Sequence, residues 1–97
     1  MLKGSQKKYL KGLAHHLSPA VRVGKKGVAD SLIESVDSQL KAHELIKVKF
    51  VNSKELKDSL SEEIAAKTQS ENIGQVGNIA IFYRANPDPE KRKIVIP

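Results

Sequence analysis

The sequence predicts an α/β domain in two layers, a mixed four-stranded sheet with three helices in the order α-β-α-β-α-β-β. Three observations carry this. Apolar residues recur at helical spacing in three stretches, and four short β-branched runs separate or follow them. The last two runs flank Gly77-Asn78, a glycine-first dipeptide suited to a type II′ or similar hairpin turn. The 97 residues leave no room for a second domain. At this size about two-thirds of the unfolded surface can be buried, which is enough for a core without staples.

Residues 5–14 place Tyr9, Leu10, Leu13 and Ala14 near one side of a helix and Lys7, Lys8 and Lys11 around the other, with Ser5 as a possible cap. Ser18-Pro19 ends that helix, because the residue before proline is pushed towards extended backbone. Ala20-Val21-Arg22-Val23 then reads as a short strand between proline and glycine. Beyond Gly27, the spacing of Val28, Leu32, Ile33, Val36 and Leu40 is the clearest helical pattern, with Asp30 or Ser31 placed to cap it.

Ile46, Val48 and Phe50 alternate with Lys47 and Lys49, so residues 45–51 are a strand with one buried and one wet face. Asn52-Ser53 leads into a third helix carrying Leu56, Leu60, Ile64 and Ala65 and ending near Thr68. Residues 72–76 and 79–83 are the closing hairpin strands. The polar, proline-punctuated segment 85–97 reads as a loop or flexible tail, with a short edge strand possible at residues 93–96.

Zero cysteines remove disulfides, thiolate zinc sites, iron–sulfur clusters and cysteine nucleophiles, and fit a reducing compartment. No apolar run approaches the ~18 residues of a membrane span, and Met1-Leu2-Lys3-Gly4 lacks the apolar stretch of a secretory signal. A soluble, cytoplasmic protein is the expectation. The net charge is +6, and its distribution says more than its size. Residues 1–29 hold seven basic side chains and no acidic one, whereas residues 30–97 hold 10 basic and 11 acidic. A surplus confined to the first third favours an anionic partner, nucleic acid above all.

Gly24-Lys25-Lys26-Gly27 lies between a predicted strand and a predicted helix. Two glycines permit positive φ and close approach of another chain, while the helix start offers free N–H groups to a phosphate. Lys25 and Lys26 add cations that bind phosphate as point charges and carry little sequence information. A glycine-bounded loop with two solvated lysines also needs no ligand at all. The Walker A and dinucleotide-binding patterns are both missing, so nucleotide hydrolysis lacks a motif.

His15-His16 could stack on bases or meet phosphate, or simply end a helix; His43 beside Glu44 reads first as a helix terminus. No histidine spacing suggests zinc. Lys47 and Lys49 fit a solvated sheet face that could widen a basic footprint. Tyr83-Arg84 ends a strand with a ring and a guanidinium, two groups that stack on unpaired bases, which makes Arg84 a weaker candidate. Phe50 and Phe82 read as core.

Lys11-Gly12-Leu13-Ala14-His15, Val23-Gly24-Lys25-Lys26-Gly27 and His43-Glu44-Leu45-Ile46-Lys47-Val48-Lys49 resemble, in order and spacing, the bacterial YhbY proteins, the stand-alone form of the CRM domain. The resemblance spans roughly residues 5–84. It implies an RNA-binding module associated with precursors of the large ribosomal subunit and a fold similar to the C-terminal domain of translation initiation factor three. It also likens Gly24, Lys25, Lys26 and Gly27 to the RNA-contacting loop of KH domains. The larger plant members of the family act in intron splicing, and this chain has one copy of the domain.

The reading is therefore a non-enzymatic, cytoplasmic RNA-binding protein that engages ribosomal RNA and assists large-subunit assembly. It is expected as a monomer, with no cofactor, metal, membrane or small-molecule substrate. Its RNA-binding residues are Gly24, Lys25, Lys26 and Gly27 of the loop, Lys7, Lys8 and Lys11 of the first helix, and Arg22 and Arg84. The alternative is an adaptor whose basic face binds an acidic protein. An enzymatic reading would need a histidine and a carboxylate to meet in a cleft.

Overall fold

The computed structural model describes residues 2–51 and 56–97. Helix α1 spans Gly4–Ala14, strand β1 Val21–Val23, helix α2 Asp30–His43, strand β2 Leu45–Phe50, helix α3 Lys57–Thr68, strand β3 Glu71–Val76 and strand β4 Ile79–Tyr83. The four strands form one mixed sheet in the order β1-β2-β4-β3. β1 runs parallel to β2 through the α2 crossover, and β4 is antiparallel to both its neighbours. Element order and sheet type agree with the sequence reading.

The number of layers does not. Val21, Val23, Val36, Leu40, Ile46, Val48, Phe50, Ile64, Ala80 and Phe82 form one core between the sheet and α2 with α3. A second core joins Leu10 and Ala14 of α1 to Leu45, Ile73, Ile81 and Tyr83 on the opposite face. The sheet therefore carries helices on both faces, making three layers where two are expected. The cause is legible in β4, where Ile79-Ala80-Ile81-Phe82-Tyr83 offers an apolar side chain to each face in turn. Both faces must be covered, and α1 covers the second.

Local chemistry explains the element ends, with some departures from expectation. Ser5 lies inside α1; Lys3 precedes it, and the Lys3 N–H donates to Gln6 Oε1 at 2.9 Å. Ala29 stands at the start of α2 without a side-chain acceptor, so neither Asp30 nor Ser31 caps it. Asp30 instead puts its carboxylate in the first turn, where the helix dipole favours negative charge. α3 ends at Thr68, as its spacing implies; the Asn52-Ser53 lead-in lies outside the described residues. Gly77 has φ +59 and Asn78 does not share that sign, which suits a glycine-first hairpin.

Residues 93–96 form no strand. The tail makes a short 3-10 turn over Pro89–Lys91 and is then tied down by Glu44, whose carboxylate accepts the N–H groups of Asn86 (2.7 Å), Lys93 (2.6 Å) and Ile94 (3.0 Å). Ile94 and Ile96 pack onto the core beneath α1. Glu44 is 1% exposed and holds φ +65, a left-handed conformation that costs a non-glycine residue of order 1–3 kcal/mol. Three charge-assisted hydrogen bonds offset that strain.

Candidate nucleic-acid interface

The Gly24-Lys25-Lys26-Gly27 loop turns the chain from the end of β1 into α2. The Gly27 N–H donates to the Gly24 carbonyl at 3.0 Å, closing a tight turn, and Gly27 adopts φ +64, where a side chain would be strained. Nothing lies within 4 Å of a Cβ built on either glycine, so the backbone is open to an approaching chain. Lys25 and Lys26 are exposed. The loop forms one end of an open depression of about 520 Å³ between the free edge of β1 and α2, bordered also by Arg22, Leu32, Ser31 and Ser35. Cations, hydroxyls and an unpaired strand edge thus face one cavity.

Arg22 carries this charge onto the sheet. It alternates with buried Val21 and Val23, so it projects to the α1 face, and the parallel register sets it beside Lys49 of β2. Like charges opposed across strands repel. Among the described residues only Lys67–Glu63 and Arg84–Asp37 form ion pairs, so no carboxylate there relieves Arg22 or Lys49. An anion from outside would.

α1 joins the same surface from the far edge. Lys11 lies across Gly74 of β3: a Cβ there would meet the Lys11 stem, with Nζ at 3.2 Å and Cδ at 3.3 Å. Gly74 is thereby the seat of the lysine. It pairs with Ile81 just after a register shift that also turns Ile73 inward. Lys7 stands one turn before Lys11 and is half-buried, while Lys8 is exposed. From β3 to β1 is three strand spacings, ~14 Å. The helix and the loop lie over opposite edges of the sheet, and Arg22 and Lys49 stand on the α1 face between them.

Lys47 lies between them but is engaged. Its ammonium donates to the carbonyls of His15 (3.4 Å) and Leu17 (3.0 Å), satisfying oxygens at the end of α1. The footprint suggested for it in the sequence is an anchor for the helix.

Arg84 is not brought to this surface. Its guanidinium donates to the Asp37 carboxylate at 2.6 Å, the Thr68 carbonyl at 2.8 Å and the Asp37 carbonyl at 3.1 Å, tying β4 to α2 and the end of α3. Tyr83 is buried in the core under α1, so its ring is not presented to solvent beside Arg84. His15 and His16 meet edge to face with centroids 5.4 Å apart, exposed at the end of α1. His43 precedes Glu44, but that carboxylate is taken up by the tail. The described residues hold no group of three or more metal-ligating side chains, and no helix among them is long and apolar enough to cross a membrane.

The sequence signal for Glu44 is its place in the His-Glu-Leu-Ile-Lys-Val run, without any sign of its partners. Gly74 carries no signal beyond being a glycine in a strand. Its reason appears only when α1 is laid over it.

Comparison with known proteins establishes the family. The chain is 37% identical over 98 residues to Probable RNA-binding protein YqeI of Bacillus subtilis, covering 100% of both. It is 36% identical over 97 residues to a Haemophilus influenzae protein named RNA-binding protein, covering 99% of this chain and 95% of that one. The solution structure of the hypothetical protein SAV1595 from Staphylococcus aureus superposes with a TM-score of 0.84 at 35% identity, covering 100% of each chain. The model of the CRS1 / YhbY (CRM) domain matches residues 2–84. With nearly its whole length matched, this chain belongs to the CRS1/YhbY (CRM) domain family.

Proposed function

We propose that this protein binds RNA through the Gly24–Gly27 loop and the basic sheet face that joins it to α1, and that its target is ribosomal RNA in precursors of the large subunit. The observation that carries the RNA reading is the adjacent pair Arg22 and Lys49, without a carboxylate partner among the described residues and continuous with the open, doubly cationic loop. Relatives named as RNA-binding proteins support the same partner. The ribosomal target follows from the resemblance to YhbY proteins. Binding by backbone approach and point charges gives affinity for phosphate more than recognition of sequence. A non-enzymatic role in a cytoplasmic assembly step is part of this reading.

Crosslinking the protein to RNA in cells and sequencing the fragments tests the target. Enrichment of large-subunit precursor RNA is the expected result, and fragments scattered in proportion to RNA abundance would contradict it. Capture from lysate with and without ribonuclease tests the class of partner. Partners released by digestion fit RNA; partners retained after it fit an acidic protein instead.

A further inference from the structure

We propose that the open end of the α1 face of the sheet is a shelf for the bases of single-stranded RNA, with Val76 and Ile79 receiving base faces while Arg22 and Lys49 hold the neighbouring phosphates. The inference rests on the RNA reading above and goes further, because it names the form of RNA that the surface suits.

The strand registers place these four residues in one row. Arg22 pairs with Lys49, Lys49 with Ile79, and Ile79 with Val76, so the row crosses all four strands on one face. α1 covers the neighbouring part of that face, over Leu45, Ile81 and Tyr83, and neither Val76 nor Ile79 belongs to the core it forms. Val76 is 70% exposed and Ile79 is half-buried. Half the row is therefore cationic and half apolar, all at one level. A protein that gripped only phosphates would have no use for the apolar half.

In an A-form duplex the base faces are stacked inside and only edges, riboses and phosphates can be touched. Apolar side chains level with cations can meet the faces of RNA bases only where those bases have left the stack. Arg22 also borders the depression beside the glycine loop, so a strand held at Lys25 and Lys26 has a continuous path over the edge of β1 onto this row.

The test compares the intact protein's affinity for a uridine oligomer and for a blunt RNA duplex, each of about twelve nucleotides in length, at matched salt. Replacing Val76, which is 70% exposed, with tyrosine should tighten binding to the single strand about fivefold through stacking and leave the duplex unchanged. The pair Val76→Thr and Ile79→Thr keeps the β-branching and should weaken single-strand binding about fivefold, as the loss of ~40 Å² of apolar contact would. Equal affinities for all variants, or equal effects on both RNAs, would overturn the shelf while Lys25 and Lys26 could still be required. Failure of the unaltered protein to bind either RNA would remove the RNA reading as well.

Discussion

Arg84 Nη1 lies 2.6 Å from Asp37 Oδ1, with the same guanidinium reaching the carbonyls of Asp37 and Thr68. One side chain thus ties the end of β4 to α2 and to the last residue of α3. The arginine that most resembles a base-stacking group in the sequence is a structural rivet. Arg84→Ala should therefore destabilise the fold by about 1–2 kcal/mol, the worth of charged hydrogen bonds discounted for the half-exposed Asp37. Urea unfolding measures this, and RNA affinity below the transition should be unchanged at matched salt.

Glu44 supplies a second prediction. Its buried carboxylate is the acceptor for three tail amides, and glutamine offers one acceptor oxygen in place of two. Glu44→Gln should cost about 2 kcal/mol and leave a buried amide facing N–H donors. Hydrogen exchange at the Ile94 amide should accelerate well beyond that of β4. Protection of Ile94 equal to the unaltered protein's would show that the tail is held by Ile94 and Ile96 packing alone.

Tyr83 makes stability depend on alkaline pH. Burial pushes its phenol above the ordinary value of 10.0 and the nearby Glu44 carboxylate pushes the same way, against a smaller opposing effect of Arg92. The unfolded chain therefore ionises first. The contribution to stability is complete below pH 10 and is lost as pH rises through the higher folded value. Tyr83→Phe should flatten the fall of stability above pH 10, read as the difference between the two proteins in urea midpoints across that range.

These three sites also show what can be read in advance. The alternation of Ile46, Val48 and Phe50, the helical spacing from Leu32 to Leu40 and the Gly77-Asn78 turn act within a few residues, the first two through their period and the turn through its glycine. The loop at Gly24 is legible for the same reason, since a glycine pair between strand and helix is a local signal. Partners far apart in the chain are not. Glu44 meets residues 42 to 50 positions away, Arg84 meets a carboxylate 47 positions back, and Lys11 needs a vacancy at Gly74. The need for a third layer is legible in β4, but that α1 supplies it is not, because α1 has few apolar residues and its seat includes the distant tail residues Ile94 and Ile96.

The central proposal is that cations spread over one sheet face and an open glycine loop grip RNA phosphates. If about five phosphates are contacted, log affinity for single-stranded RNA should fall with log salt at a slope near −3.5. The most direct measurement is that slope for Lys25→Ala combined with Lys26→Ala, beside the unaltered protein. Removing both loop cations should make the slope shallower by about 1.4 and weaken binding at low salt, with Tm unchanged because both side chains are exposed. An identical slope and affinity in the double variant would take the loop out of the interface and contradict the proposed grip.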